Sequence, residues 1–189
     1  MSTAGRSKPR ERVLDTASTL FYREGIHAVS IDRLCAEAHV SKRSLYQYFE
    51  NRDAILTEML RSRGAAMAEG VVPAEDDVRT PRQRMLAVFD IQRTRSGSPD
   101  YLGCPFANTA IELKDRAHPA TVAARAYKQE LTAFFHRQAQ LGGAADPGLL
   151  ATQLTVLFDG ASAQAVLNGE LSDATRKAAD TLLSAGGVG

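Results

Sequence analysis

The chain has 189 residues, of which 44% are hydrophobic and 24% are charged, and this composition predicts a globular protein of one or two domains. Its formal net charge is only +1, which argues against a general coat for nucleic acid. Lys and Arg interrupt the start and no uncharged run reaches membrane-spanning length, so we expect a cytoplasmic protein with no membrane contact.

The first residues form a basic segment. Residues 1–64 hold eleven Lys and Arg against eight Asp and Glu, whereas residues 65–189 hold twelve against fourteen. Gly5 and Pro9 are expected to break regular structure until a first helix begins. The predicted arm carries four basic residues: Arg6, Lys8, Arg10 and Arg12. It is either a solvated tail or a segment that contacts DNA phosphates or the minor groove.

Residues 25–49 predict two short capped helices that meet at a tight corner. Ser30 is a good N-cap for the first helix. Its apolar residues fall on one helical face: Ile31, Leu34, Cys35 and Ala38. After the corner at 38–40, Ser41 can cap a second helix, and Val40 is placed to pack against Leu45. This arrangement is a helix-turn-helix.

The second helix of this motif has two chemically different faces. At about 100° per residue, Leu45 and Phe49 point inward with Tyr48 beside them. The outward residues are polar: Lys42, Arg43, Ser44, Tyr46 and Gln47. Arg and Lys pair with guanine, Gln pairs with adenine, and hydroxyl groups bind bases or phosphates. The outward face therefore suits the major groove of DNA.

Residues 12–60 resemble the TetR family of bacterial transcriptional regulators. The matching features are Ala17, Leu20, Phe21, Gly25, Ser30-Ile31, Ala38-x-Val40-Ser41, Leu45-Tyr46-x-x-Phe49 and Arg52-Asp53-x-x-Leu56. The resemblance implies phosphate contacts by Tyr46 and Arg52, and base contacts around residues 42–47. The predicted DNA-binding residues are Ser30, Lys42, Arg43, Ser44, Tyr46, Gln47, Tyr48 and Arg52.

Two positions depart from the family pattern. His39 stands in the corner where relatives usually have Gly, which accepts a left-handed conformation. His is among the other residues enriched in that conformation, so we expect the corner to form with modest strain. Arg52 stands where many relatives have Lys, and both side chains can bind a phosphate.

The rest of the chain predicts further helices and no strands. A fourth helix is expected from the cap Asn51 to about residue 69, followed by a linker over 70–81. Five more are expected over about 81–95, 105–115, 119–141, 147–167 and 172–185. We therefore predict an all-α chain of about nine helices. Residues 1–50 would form the three-helix DNA-binding domain, and residues 51–189 a helical ligand-binding and dimerisation domain that the fourth helix connects to it.

The helix over 147–167 is almost free of charge, with Asp159 as the exception. A helix that is apolar nearly all round must be buried on more than one side. It is therefore either a central helix or one that also packs on a second subunit. In the TetR family the last two long helices form the dimer, so the resemblance implies a homodimer that binds two operator half-sites.

The second domain also has residues that could bind a small-molecule effector. The candidates are Phe89, Arg93, Phe106, Asn108, Thr109, Glu112, Tyr127 and Phe158. Aromatic residues at helical spacing are ordinarily core residues, so the alternative for each is simple packing.

Residues that carry catalytic or metal chemistry are sparse. The chain has no Cys-x-x-Cys, His-Glu-x-x-His or phosphate-binding glycine loop, so we expect no metal, no cofactor and no enzyme. Cys35 is expected to pack as a small hydrophobe. Cys104, at a predicted helix start, either packs or senses oxidants.

Three functional hypotheses follow from these patterns. The first is a dimeric repressor that a small molecule releases from its operator, with coupling through the fourth helix. The second is a regulator of the same fold without small-molecule input. The third is an all-α enzyme or ligand carrier, for which the sequence offers only the loose set Glu112, Asp115 and His118.

Overall fold

The computed structural model describes residues 8–189, and every regular element in that range is an α-helix. The nine helices are α1 Pro9–Glu24, α2 Ile31–Ala38, α3 Lys42–Tyr46, α4 Arg52–Ala68, α5 Pro81–Ser96, α6 Pro105–Leu113, α7 Pro119–Leu141, α8 Pro147–Asn168 and α9 Asp173–Ala185. The predicted all-α fold of about nine helices is confirmed over the residues that the structure describes.

The helices begin where the sequence supplies a capping group or a proline. Asn51 Oδ1 accepts the amide of Ala54 at 2.8 Å ahead of α4. Thr80 and Gln83 exchange side-chain and backbone hydrogen bonds ahead of α5. Proline has no amide to leave unpaired in a first turn, and three later helices start on it: Pro105, Pro119 and Pro147.

The first helix starts earlier than the sequence predicts. Pro9 is the first residue of α1 rather than a break ahead of it, because its fixed φ and missing amide suit that position. Arg10 and Arg12 of the predicted basic arm therefore lie within α1. Arg6 and the break expected at Gly5 lie outside the described residues.

The chain forms two compact units, and they divide the sequence differently from the predicted boundary at residue 50. The head consists of the described residues up to Met67 together with Asn108–Ala124. The body consists of Ala68–Ala107 together with Arg125–Gly189. Thus α4, expected to connect two domains, lies almost wholly in the head, and so does a segment from the middle of the predicted second domain.

The head has a tightly packed core. α1 packs against α2 and α3, and α2 packs against α3. Each of the first four helices contributes a side chain with no exposed surface: Leu14, Leu34, Leu45 and Leu60. Each such leucine contributes roughly 1.5–3 kcal/mol through burial. The stability of the short α3 therefore comes from the burial of Leu45 rather than from hydrogen bonds within the helix.

The core of the body is mainly aliphatic and includes a group of phenylalanine rings. The Phe89 ring of α5 stacks on Phe135 of α7 with centroids 6.0 Å apart, and meets Phe158 of α8 edge-on at 6.4 Å. α9 packs against α5 and α8 and adds the buried Leu183. None of the described helices is both long and apolar enough to cross a membrane.

One face of α8 is not covered by its own chain. Leu150 and Leu154 are buried, whereas Leu149, Val156 and Leu167 are 55%, 66% and 77% exposed. The interpretation of α8 as a central helix, covered all round by its own chain, is therefore wrong. The alternative, a helix that packs on its own body and on a second subunit, stays a prediction.

Candidate nucleic-acid interface

The two helices of the motif begin at serine caps, as the sequence predicts. Ser30 Oγ accepts the amide of Arg33 at 3.1 Å at the start of α2. Ser41 Oγ accepts the amide of Ser44 at 3.1 Å at the start of α3. The capped amino ends of both helices carry partial positive charge, which favours a nearby phosphate.

The corner between α2 and α3 forms with His39 in the left-handed conformation, at φ 52° and ψ 50°. The amide of Val40 donates to the Cys35 carbonyl at 3.0 Å, which closes the end of α2. Arg12 of α1 donates to the carbonyls of Ala38 at 3.0 Å and His39 at 3.3 Å. The corner therefore forms with histidine at the position where relatives usually have glycine, and Arg12 of α1 stabilises it through these two hydrogen bonds.

The predicted outward face of α3 is on the surface. Helix α3 spans only five residues, and the amides of Tyr48 and Phe49 continue it by donating to the Leu45 carbonyl. Leu45 and Phe49 are buried, as expected. The exposed side chains are Lys42, Arg43, Tyr46, Gln47 and Tyr48, and Ser44 is half-buried.

The two cations of α3 have different surroundings. Lys42 Nζ lies 2.7 Å from Asp32 Oδ1, in the first turn of α2. This hydrogen bond raises the pKa of Lys42. Arg43 makes no ion pair within residues 8–189. The guanidinium of Arg43 is therefore available to an external anion, whereas Lys42 would first have to leave its carboxylate partner.

Arg52 faces the loop between α1 and α2. Its Nη1 donates to the Ile26 carbonyl at 2.9 Å and to the Val29 carbonyl at 3.4 Å. Arg52 is half-buried. Its contact with DNA phosphate stays a prediction, but its structural role is to hold this loop against the first turn of α4.

A cluster of ion pairs ties α1 to α4. Arg63 of α4 binds Glu11 and lies 2.7 Å from Asp15 Oδ1, and Arg10 of α1 lies 2.6 Å from Glu58. These partners raise the pKa of Arg63, and hydrogen bonding from Arg63 lowers the pKa of Glu11. Single exposed pairs stabilise a fold weakly, whereas a network that shares partners constrains geometry. α4 is thus fixed to α1, the helix against which α2 and α3 pack.

Glu112, one of the predicted effector contacts, lies in the head. Its Oε2 accepts the amide of Ile26 at 2.7 Å across 86 residues of sequence, and its carbonyl accepts from His27 Nε2 at 3.0 Å. An ideal Cβ at Gly25 would lie only 3.2 Å from the same carboxylate. Glu112 therefore has a structural role at the α1–α2 loop, and its expected contact with an effector stays a prediction. Nothing in the local sequence signals a partner so far away.

His118 makes a second link within the head. His118 Nδ1 accepts the amide of Ala120 at 3.1 Å, so the proton of a neutral ring lies on Nε2. That Nε2 lies 3.5 Å from Asp53 Oδ2 in the first turn of α4. Asp115 Oδ1 accepts the amide of Ala117 at 2.8 Å. The loose set Glu112, Asp115 and His118 therefore makes separate contacts with backbone amides and with α4.

The other predicted effector residues divide between the two units. Asn108 and Thr109 lie in the head with Glu112, whereas five lie in the body: Phe89, Arg93, Phe106, Tyr127 and Phe158. Phe106 stacks on Tyr127 with centroids 4.8 Å apart. Arg93 is half exposed and binds Asp173. The effector contact of each of these residues stays a prediction.

Gln92 is a buried polar residue on α5. It is 3% exposed, and its Nε2 donates to the Phe158 carbonyl at 2.7 Å and to Ser162 Oγ at 2.8 Å. Its Oε1 has no hydrogen-bond partner among the described residues. A glutamine on the apolar face of a helix was the available signal.

The two cysteines are both free. Burial raises the pKa of Cys35, which keeps it in the unreactive thiol form. Cys104 is half-buried just before α6. Within residues 8–189, no group of three or more His, Cys, Asp and Glu side chains could hold a metal ion.

Known proteins are similar to this chain in sequence and in fold. The family model described as "Bacterial regulatory proteins, tetR family" matches residues 13–59. A crystal structure of a candidate TetR transcriptional regulator from Streptomyces avermitilis is 44% identical and superposes with a TM-score of 0.91. That match covers 97% of this chain and 100% of the other.

Curated relatives match over shorter lengths. An uncharacterized HTH-type transcriptional regulator of Mycobacterium tuberculosis is 31% identical over 123 residues, which is 62% of this chain and 61% of that protein. The HTH-type transcriptional repressor KstR2 of Rhodococcus jostii is 34% identical over 59 residues, or 31% and 29% of the two chains. The chain thus spans less than two thirds of either curated relative. Since the Streptomyces avermitilis regulator is matched over its full length, the chain belongs to the TetR family of bacterial transcriptional regulators and carries its DNA-binding helix-turn-helix.

Proposed function

We propose that the protein is a dimeric repressor, in which two copies bind operator DNA through α3 and a small molecule bound in the body releases them. The observation that carries this proposal is the exposed polar face of α3. This helix is capped by Ser41 at its start, and its opposite face is anchored in the core by the fully buried Leu45. Repression rather than activation is supported by the Rhodococcus jostii relative, whose name is that of a repressor.

The side chains of the interface divide into two roles. Lys42, Arg43 and Gln47 have the donor and acceptor groups that distinguish bases in the major groove. Ser44 is half-buried, and we assign it a shorter-range contact beside them. Phosphate contacts, which position the protein without reading sequence, would come from Tyr46 at the end of α3, Tyr48 in the turn after it and Ser30 at the α2 amino end. Arg52 would reach a phosphate through Nε or Nη2, because its Nη1 already binds the α1–α2 loop.

Binding to specific and random DNA separates these roles. The operator is first selected from a random pool with the full-length protein. We expect Arg43→Ala and Gln47→Ala each to weaken operator binding by roughly 1–3 kcal/mol and to relax base preference. Tyr46→Phe should weaken binding to operator and random DNA by the same factor, because a phosphate contact is independent of sequence.

Arg33→Ala is the matched control for loss of a cation. Arg33 lies on α2 and pairs with Glu24 at 3.4 Å and Glu37 at 3.0 Å, so its removal should leave base preference unchanged. Equal losses on operator and random DNA for Arg43→Ala and Gln47→Ala would contradict direct reading of bases by α3.

The uncovered face of α8 supports a homodimer through the last two helices. Leu149, Val156 and Leu167 lie on this face, at spacings of seven and eleven residues. Gly160 lies between them, and a Cβ built there meets no atom within 4 Å. On α9 the exposed residues include a row of small side chains: Ala174, Ala178, Thr181 and Ala185. Small side chains let helices approach closely, and an apolar stripe is covered when two copies pair.

The body supplies a polar group that a ligand could satisfy. The Nε2 contacts of Gln92 fix the direction of its amide, so Oε1 stays a buried acceptor without a donor. Leaving such a group unpaired costs about 1–3 kcal/mol. The rings of Phe89 and Phe158 lie beside this region of α5 and α8. We therefore assign the effector an aromatic or apolar body with one hydrogen-bond donor.

Helix α6 offers a route from effector to DNA-binding motif. Phe106, near its start, stacks on Tyr127 in the body, and Glu112, near its end, binds the Ile26 amide in the head. A ligand that displaces Phe106 would therefore act on the helix that holds the α1–α2 loop. This route adds to the coupling predicted through α4.

Linkage provides the test of effector control. A ligand releases DNA only by preferring the conformer that does not bind DNA, so operator must weaken ligand binding by the same factor. Phenols and their O-methyl ethers form a suitable matched library, because only the phenols donate a hydrogen bond. We expect phenols to release labelled operator from the wild type but not from Gln92→Leu, which should still bind operator. Ligand affinity that ignores operator would contradict the mechanism.

A further inference from the structure

We infer that Asp32 is a specificity-determining residue that holds Lys42 away from non-operator phosphates. The inference rests on the proposed operator binding and concerns a residue outside the predicted DNA-contacting set. Its basis is the contact of 2.7 Å between Asp32 Oδ1 and Lys42 Nζ, whose side chains are 75% and 56% exposed.

The position of this pair explains why it acts on DNA binding. Asp32 is in the first turn of α2, two residues after the Ser30 cap, and Lys42 is the first residue of α3. Both therefore lie at helix amino ends, where backbone amides favour an anion. In the absence of DNA, the Asp32 carboxylate takes the place that a phosphate would occupy beside Lys42.

The Asp32–Lys42 pair contributes little to the stability of the head. Both side chains are largely exposed, and exposed ion pairs contribute little to stability because water screens them. Leu34 and Leu45, which are fully buried, hold α2 and α3 in place without it. Its main consequence is therefore expected when Lys42 exchanges its partner.

The exchange differs between random DNA and operator. Random DNA offers mainly phosphates, and a lysine already paired with a carboxylate gains little by moving to another anion. At the operator, Lys42 also reaches base edges, which compensate for the lost pair. Arg43, which has no ion pair among the described residues, is available in both cases. Asp32 should therefore weaken binding to random DNA more than to operator.

Salt titrations with full-length Asp32→Asn test this inference. Each additional phosphate neutralised by the protein steepens the slope of log K against log salt by about 0.9. We expect the slope on random DNA to steepen by about that amount, with affinity rising roughly three- to tenfold at low salt. Operator affinity should rise less, so the ratio of operator to random affinity should fall.

Glu37→Gln is the matched control, because it makes the same charge change on α2 but removes a partner of Arg33 at 3.0 Å. It should leave the affinity ratio unchanged. In a Lys42→Met background, Asp32→Asn should no longer change the ratio, because Asp32 acts through Lys42. An unchanged ratio in Asp32→Asn, or equal effects from Asp32→Asn and Glu37→Gln, would overturn the inference. Failure of the wild-type protein to select any operator would instead contradict the proposed function.

Discussion

The corner residue His39 provides a quantitative test of how backbone conformation affects the stability of the head. Its φ of 52° and ψ of 50° place a side chain with a Cβ in a conformation that costs about 1–2 kcal/mol. Glycine adopts this conformation without steric cost, but loses about 0.5–1 kcal/mol more chain entropy on folding. His39 is exposed, so removing its ring sacrifices little packing. His39→Gly should therefore stabilise the protein by about 0.5–1 kcal/mol.

Urea unfolding followed by circular dichroism measures this difference, at a fixed protomer concentration because a dimer unfolds in a concentration-dependent way. His39→Ala is the control, since it removes the imidazole but keeps the Cβ. The contact from Arg12 to the corner carbonyls is present in every variant, so the difference between Gly and Ala reports the backbone alone. In a thermal melt, we expect a gain of about 1–4 °C for the Gly variant.

The reasoning is refuted if the Gly variant is no more stable than the Ala variant. Such a result would mean that the left-handed corner carries no strain for a residue with a side chain. A gain in stability together with unchanged operator affinity would show that the corner needs its shape and not its imidazole.

Three further predictions concern the body, the linker and the head. Arg79 lowers the pKa of Asp77 from 3.8 to about 2. The ionised Asp77 therefore contributes fully to stability above the unfolded value near 3.8, and this contribution is lost as pH falls towards 2. Asp77→Asn should remove that part of the acid-unfolding curve. Val156→Asp should produce folded monomers in analytical ultracentrifugation, whereas Val78→Asp, at a 99% exposed linker position, should not; a dimeric Val156→Asp variant would count against pairing through α8. Leu45→Ala should cost about 2–5 kcal/mol in urea unfolding, and a loss below 1 kcal/mol would mean that α3 does not depend on its buried leucine.

Much of the fold is predictable because it depends on local chemistry. Ser30, Ser41 and Asn51 cap helices through bonds to amides three residues away, so their positions alone locate the helix starts. The faces of α3 are predictable for the same reason, since a helix places Leu45 and Phe49 together whatever surrounds it. The prediction of a break at Pro9 is wrong because proline also suits the first turn of a helix.

The remaining features depend on contacts between distant parts of the chain. Glu112 binds the amide of Ile26 from 86 residues away, and neither local sequence contains a sign of the other. Asp32 and Lys42 lie on successive helices, and their pairing depends on the angle at the His39 corner. The effector candidates were chosen by residue type, which does not reveal that Asn108 and Thr109 belong to the head.

The composition of the head has a consequence for exchanging DNA specificity between related regulators. A chimera that replaces residues 1–50 alone would separate Arg10 from Glu58 and the Ile26 amide from Glu112. It would introduce two mismatched surfaces into a compact unit, even if every base-reading side chain were transplanted correctly. The transferable module is therefore discontinuous in sequence: the head exchanges as a piece only when Asn108–Ala124 accompanies the first 67 residues.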